Sequence, residues 1–334
     1  LKTSEFDYYL PPELIAQTPI EPRDAARLLW LKRSSGDMTH HHFYDLPDLL
    51  RPGDLLVANE SRVLPARIIA RKRTGGAVEI LLLRRIDAVT WQCLLRGHRL
   101  RVGMRLDVRA DVIAEVIDQA ATGERLIRFN QPIDDRLDEL GRMPLPPYIH
   151  EPLRDPDRYQ TIYSHTPGSA AAPTAGLHFT AEVLARLAER GIDIVYVTLH
   201  VGLDTFKPVE TEDIERHHIH TEYIQLVEPV AAQIRQARRE GRRVIAVGTT
   251  TVRVVEAAAR RDLQAFAGYT DLYIYPGFEF RIIDGLITNF HLPRSSLLML
   301  VSAFAGKARI DRAYIEAIQR RYRFYSFGDA MLIL

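Results

Sequence analysis

The chain lacks several residues and patterns, and each absence narrows what it can be. A single cysteine, Cys93, stands among 334 residues. That excludes an intrachain disulfide framework and any cysteine-pair metal site, and it fits a reducing cytoplasm. Cys93 lies in the strand-like segment Trp91-Gln92-Cys93-Leu94-Leu95, where a lone thiol is expected to be core rather than nucleophile. No apolar run approaches the roughly 20 residues needed to cross a bilayer; the longest, Leu297 to Phe304, suits a buried helix. Leu1 to Asp7 carries acidic side chains where a secretion signal needs an apolar stretch, so we expect a cytoplasmic protein with no membrane partner. Gly-x-Gly-x-x-Gly does not occur at a strand-to-helix turn, and there is no His-Glu-x-x-His motif and no phosphate-loop spacing with its lysine. These absences argue against a dinucleotide fold, a zinc hydrolase and ATP hydrolysis.

Lysine is also scarce. Lys2, Lys32, Lys72, Lys207 and Lys307 are the only ones, so the 44 basic residues are nearly all arginine. Against 43 acidic residues they leave a net charge of +1, too little for a global attraction to nucleic acid. Local clusters matter more, because guanidinium groups bind phosphate bidentately and stack on bases. Clusters occur at Arg71-Lys72-Arg73, at Arg96, Arg99, Arg101 and Arg105, at Arg235 to Arg243, and at Arg320, Arg321 and Arg323. Each reads either as a nucleic-acid contact or as a solvated face.

A chain of this length with 46% hydrophobic residues has material for two domains. Short strands separated by glycine turns run from Ala66 to Phe129: Ala66 to Arg71, Val78 to Leu83, Trp91 to Leu95, Arg105 to Val108, Ile113 to Ile117 and Arg125 to Phe129. That spacing predicts a small barrel or sandwich. After the stiff segment Pro144 to Tyr148, helices and strands alternate. Thr180 caps a helix ended by Gly191, and a strand follows over Ile192 to Leu199. A helix from Pro229 to Arg239 precedes a strand at Val244 to Val247 and a helix from Val252 to Arg261. Strands are expected at Asp271 to Tyr275 and Ile282 to Phe290, a helix from Leu297 to Phe304 capped by Ser295 or Ser296, a helix over Asp311 to Arg321, and a last strand at Ala330 to Leu334. Because Leu55 to Ala58 is also strand-like, we expect an α/β domain with a mixed sheet (residues 1–65 and 148–334) carrying an inserted small antiparallel β-barrel domain (66–147).

Three groups of residues invite a chemical reading. Gly168 to Thr180 combines small residues, Pro173, Thr174, Gly176 and His178 just before a helix. It is either a ligand-holding loop or an ordinary approach to a helix. Gly248-Thr249-Thr250-Thr251 lies between a strand and a helix and offers hydroxyls and amides, for a ligand or for helix capping. His178, His200 and His291 each sit at a strand end or helix start. Such a histidine either transfers protons or is buried structure. His40-His41-His42 reads as an exposed turn. The run Glu215 to Glu222, with His217, His218 and His220, cannot place all its ligands on one helix face, so no metal site is expected.

Ala172 to Thr180, together with Gly248 to Arg253, Ile287-Thr288-Asn289-Phe290-His291-Leu292-Pro293 and Tyr325 to Leu332, resembles the S-adenosylmethionine:tRNA ribosyltransferase-isomerases of queuosine biosynthesis. The likeness extends over the chain, through Phe6 to Pro11, Leu14 to Gln17, Asn59 with Arg62, Pro65, Ala66 and Arg67, and Tyr159-Gln160-Thr161. Asp204 stands where the family usually has glycine, which leaves that loop's backbone geometry in question. Arg294 and Ser296 replace common Lys and Thr, and Ile219 and Thr221 stand at Met and Ser positions.

The resemblance implies transfer and isomerisation of the ribosyl part of S-adenosylmethionine onto 7-aminomethyl-7-deazaguanine at the wobble position of tRNA. The products would be epoxyqueuosine-tRNA, adenine and methionine, with no cofactor beyond the substrate S-adenosylmethionine; we expect a monomer. It also implies an α/β domain with an inserted barrel. On this reading Thr174, Gly176, Gly248, Thr249, Thr250, Thr251 and Arg253 surround S-adenosylmethionine, and His178, His200, His217 or Glu222 moves the proton. Asn59, Arg62 and Arg67 would form a hinge or touch tRNA. A tRNA methyltransferase using S-adenosylmethionine, or a non-enzymatic RNA-binding protein, would be the alternatives.

Overall fold

The computed structural model describes residues 1–119, 123–202, 208–219 and 221–334. Asp204 and His220 lie outside the described residues. Two compact units emerge, one of residues 1–62, 146–166 and 172–334, the other of residues 63–145 and 167–171. The strands in chain order are β1 (Arg27–Leu31), β2 (Met38–His42), β3 (Leu55–Asn59), β4 (Ser61–Val63), β5 (Arg67–Lys72), β6 (Ala77–Arg85), β7 (Thr90–Arg96), β8 (Arg105–Asp107), β9 (Ile113–Gln119), β10 (Arg125–Phe129), β11 (Gly141–Arg142), β12 (Thr166–Ser169), β13 (Asp193–Leu199), β14 (Glu222–Leu226), β15 (Val244–Val247), β16 (Phe266–Thr270), β17 (Gly285–Asn289) and β18 (Ala330–Ile333). The helices are α1 (Leu46–Leu49), α2 (Leu137–Leu140), α3 (Ala181–Glu189), α4 (Glu228–Arg239), α5 (Thr249–Ala259), α6 (Ser296–Ala305) and α7 (Lys307–Gln319).

The larger unit is built on a nine-stranded mixed sheet in the order β16-β14-β13-β3-β15-β17-β18-β1-β2. Strands β13, β3, β15 and β17 run parallel, and β3, β15 and β17 are buried at every position. Runs such as Leu55-Leu56-Val57-Ala58 suit a strand covered on both faces, where no polar alternation is needed. The carboxyl ends of these four strands therefore share one edge of the sheet. Strand β18 runs antiparallel to β17, so the segment preceding it arrives at that same edge.

Local signals set the helix ends. The Thr180 hydroxyl accepts the Val183 amide at 3.2 Å, and Ser295 does the same for Leu298 at 3.2 Å. Gly191 closes α3 with φ of 69°, a conformation natural to glycine. Three local expectations need correction. His40 to His42 belongs to β2, an edge strand paired with β1, because β1 itself is fixed by pairing with the distant β18. The strand expected at Asp271 to Tyr275 falls instead at Phe266–Thr270 against β14; the Thr270 hydroxyl then accepts the Leu272 amide at 3.2 Å and turns the chain. Helix α5 begins at Thr249, so its three threonines form the first turn and Gly248 is the N-cap.

In the smaller unit, β5-β6-β7-β10-β9-β8 form an antiparallel ring closed by β5–β8 pairing. The ring needs no exposed sheet edge. Alternate residues point inward, among them Ile68, Ala70, Val78, Ile80, Leu82, Cys93, Val116 and Ile127. Cys93 is fully enclosed there, and burial pushes its thiol up to about 12. Such a thiol stays protonated and inert.

Candidate active site

A cleft of about 620 Å³, open to solvent, lies at the carboxyl edge of the parallel strands. Ligands in open α/β sheets bind at this kind of edge. Its walls come from four places in the chain: Ala172 to Ala175, Val201 after β13, Gly248 to Thr250 after β15, and Thr288 to Leu292 at the end of β17. Tyr148, Ser295, Leu297, Tyr325 and Ser326 complete it.

Side-chain hydrogen bonds tie these segments together. The Thr174 hydroxyl donates to the Asn289 side-chain oxygen at 2.9 Å, and the Asn289 amide donates to the Tyr325 carbonyl at 3.2 Å. Tyr148 and Ser326 share a hydrogen bond of 2.7 Å. Tyr325 itself adopts a φ of 71°, rare for a bulky residue and a mark of a constrained loop. Burial raises the phenols of Tyr148 and Tyr325, so both remain protonated, and a protonated phenol can donate as well as accept.

Gly248 is required by the turn, since its φ is 89°. Gly248 offers no capping side chain, and with Gly248, Thr249 and Thr250 in the cleft wall the start of α5, where helix amides lack intrahelical acceptors and the dipole is positive, borders the cleft. Among the described residues the Thr250 hydroxyl is buried without a hydrogen-bond partner, whereas Thr251 donates back to the Val247 carbonyl at 2.7 Å. Thr174, Gly248, Thr249 and Thr250 thus line the cleft, and Thr251 supports it from behind.

Other sequence-selected residues are held elsewhere. Gly176 does not line the cleft; a Cβ there would come within 2.2 Å of the Tyr163 hydroxyl oxygen, so packing demands glycine. Both ring nitrogens of His178 face carbonyls, Nδ1 at 3.1 Å from Ala175 and Nε2 at 2.9 Å from Gly328. A neutral imidazole satisfies only one of these, and burial lowers its pKa. Its ring also stacks on Phe43 at 5.0 Å. Glu222 accepts the Gly202 amide at 2.8 Å and forms a buried ion pair with Arg253. Arg253 further donates from Nε to the Leu272 carbonyl at 3.0 Å, while its Nη2 has no partner among the described residues. His217 packs edge-on against Tyr273 at 5.4 Å.

His200 differs. It immediately precedes the cleft residue Val201, stacks on Tyr223 at 5.4 Å, and among the described residues its Nδ1 has no hydrogen-bond partner. Burial lowers its pKa, so the ring is neutral near pH 7 and able to accept a proton. His291 lines the cleft but is pushed down to about 3 by burial, with Nε2 held 2.8 Å from the Thr288 hydroxyl. Such a ring orients its neighbours and is a weak base.

Asn59 clasps β3 to β13, donating to the Leu199 carbonyl at 3.0 Å and accepting its amide at 3.1 Å. Arg62 donates to the Ser164 hydroxyl at 3.3 Å, and Arg67 to the Leu145 carbonyl at 3.2 Å. No role in the cleft was read from the sequence for Tyr148, Asn289, Tyr325 or Ser326. For three of them the signal was positional: Asn289 ends β17, and Tyr325 and Ser326 lie in the segment leading into β18.

A family model described as queuosine biosynthesis protein matches residues 3–333. The chain is 56% identical over 339 residues to an S-adenosylmethionine:tRNA ribosyltransferase-isomerase of Carboxydothermus hydrogenoformans, with 100% of each chain covered. It is 52% identical over 339 residues to the Thermotoga maritima protein of that name, again covering 100% of both. The crystal structure of an S-adenosylmethionine tRNA ribosyltransferase from Thermotoga maritima aligns with a TM-score of 0.59 and 43% identity, covering 99% of this chain and 100% of the other. A family match along nearly the whole chain, on a mixed sheet and closed barrel with full-length relatives, leads to one assignment: the chain belongs to the queuosine biosynthesis protein family.

Proposed function

We propose that this protein is an S-adenosylmethionine:tRNA ribosyltransferase-isomerase, acting on tRNA whose wobble position carries 7-aminomethyl-7-deazaguanine. Full-length identity of 56% to a protein of that name carries the reading, and the cleft supports it by its position at the carboxyl edge of the parallel strands. In the reaction, the sulfonium of S-adenosylmethionine acidifies the adjacent 5′ carbon and a base removes a proton there. Adenine leaves as the sugar rearranges, the nucleobase amine attacks the anomeric carbon, and methionine departs. A methyltransferase would leave S-adenosylhomocysteine instead.

On this reading the S-adenosylmethionine sits against Thr174, Gly248, Thr249 and Thr250, with Thr251 and Arg253 supporting α5 and Gly176 supporting the opposite loop. Among the four proton-transfer candidates, His200 is favoured because it adjoins the cleft residue Val201 and its Nδ1 has no hydrogen-bond partner among the described residues. His178 and Glu222 are held by bonds within the protein, and His217 packs on Tyr273. The protein would act as a cytoplasmic monomer with no further cofactor. Among the described residues no helix is long and apolar enough to cross a membrane.

The test is to incubate the protein with S-adenosylmethionine and tRNA bearing the modified base, then weigh the digested nucleosides while following adenine release. A nucleoside heavier by the rearranged ribosyl unit, with adenine and methionine released, is the expected result. A methyl increment with S-adenosylhomocysteine would replace this reading with the methyltransferase.

A further inference from the structure

Two arginine-rich segments of the barrel, far apart in sequence, meet at one of its ends. One is the end of β5 and its turn, with Arg71, Lys72 and Arg73; the other runs from the end of β7 to β8, with Arg96, Arg99 and Arg101. Ladder pairs Lys72↔Leu106 and Glu79↔Arg96 bring them together, and the Lys72 ammonium donates to the His98 carbonyl. Gly97 lets the second segment close in, since a Cβ there would lie 3.3 Å from a Val78 methyl.

Few acidic groups answer this charge. Glu115 is taken by Arg105 at 3.5 Å, Glu79, opposite Arg96 in the ladder, reaches toward Arg67 at 3.9 Å, and Asp107 lies opposite Arg71. Among the described residues, Lys72, Arg73, Arg96, Arg99 and Arg101 have no carboxylate within 4 Å, and these four arginines are exposed. The arginine run around α4 contrasts with this. There Arg238 pairs with Asp284 at 3.1 Å, Arg242 with Glu240 at 2.7 Å and Arg243 with Asp54 at 2.5 Å, while Arg235 holds Glu228.

We propose that this end of the barrel is a contact surface for the sugar–phosphate backbone of RNA; resting on the functional reading above, that RNA is the substrate tRNA at a site distinct from its modified base. Exposed guanidinium groups without protein counterions are neutralised by small anions in solution. Replacing those ions with phosphates releases salt counterions from the RNA, which drives binding and makes it fall steeply with salt. Phosphate contacts position a nucleic acid without reading its bases.

The experiment measures tRNA dissociation constants across a salt series for the full-length protein, for Arg73→Ala/Arg96→Ala/Arg101→Ala, and for the matching triple lysine variant. The alanine variant should bind tRNA at least about tenfold more weakly at 0.15 M salt, with the slope of log K against log salt smaller by about 2 to 3. The lysine variant should restore most of that slope, and S-adenosylmethionine affinity and Tm should match the parent protein. Removing Arg238 and Arg242 should leave the slope unchanged. If the alanine triple melts early, Arg101→Glu alone, at an exposed loop position, should weaken tRNA binding in the same direction. Parental affinity and slope in well-folded variants overturn the proposal. A parent protein that binds tRNA with this slope but forms no ribosylated product would overturn the functional reading while upholding the surface.

Discussion

The sheet unit and the barrel end treat their charged side chains in opposite ways. In the sheet unit, Glu222 and Arg253 are paired at 6% exposure each, His178 is held between two carbonyls, and Arg235, Arg238, Arg242 and Arg243 reach carboxylates. At the barrel end, Arg73, Arg96 and Arg101 find none among the described residues. Similar arginine-rich strings in the sequence therefore have different physical meanings. A group already committed within the protein should cost stability when removed, and an uncommitted one should cost function. Inside the sheet unit, the His200 Nδ1 has no hydrogen-bond partner among the described residues.

The largest test of that contrast is His200→Gln. Single-turnover adenine release should fall by about 10²- to 10⁴-fold, the range for loss of a general acid or base, with little change in Tm. Release near the parental rate would remove His200 from proton transfer and return attention to His178, His217 and Glu222. His178→Gln should show the opposite balance, with stability falling more than chemistry.

Next comes Arg253→Met. It strands the Glu222 carboxylate in a site where both partners are only 6% exposed, and breaking a buried pair costs about 3–5 kcal/mol. Urea unfolding measures this, and adding Glu222→Gln should recover part of the loss by removing the uncompensated charge. An undiminished midpoint in Arg253→Met would show that the pair is not a structural commitment.

The most gradual expected effect is a pH dependence. His291 has its pKa pushed down to about 3 in the folded protein, against an ordinary value of about 6.5 in the unfolded chain. The unfolded chain thus binds the proton first as pH drops. The stability that this neutral histidine confers is complete above about pH 6.5 and is lost toward pH 3, at about 1.4 kcal/mol per pH unit. His291→Gln should flatten the stability profile between pH 6 and 4 by about one proton. An unchanged slope would mean that the ring gains its proton without unfolding the protein.

Much of the scaffold was legible because its signals are local. The barrel strands show alternation, β3 and β15 show continuous apolar runs, and Thr180, Ser295 and Gly191 mark helix ends by chemistry that acts within a few residues. The loops at Thr174 and Gly248 stood out for the same reason. Less legible were β2 and β16, edge strands whose existence depends on a distant partner. Histidine roles were equally hidden: His178, His200 and His291 looked alike in sequence, and only their partners separate a fastener, an uncommitted ring and a neutral orienting group.

By itself the sequence determined the fold class, the family, and the two loops bordering the cleft, because patterning, capping and motif order are properties of neighbouring residues. Only the tertiary structure decided which charges remain available. That property depends on distance to a counter-charge and on access to water, so Arg238 beside Asp284 and Arg101, with no carboxylate within 4 Å among the described residues, become different groups only once the chain is folded.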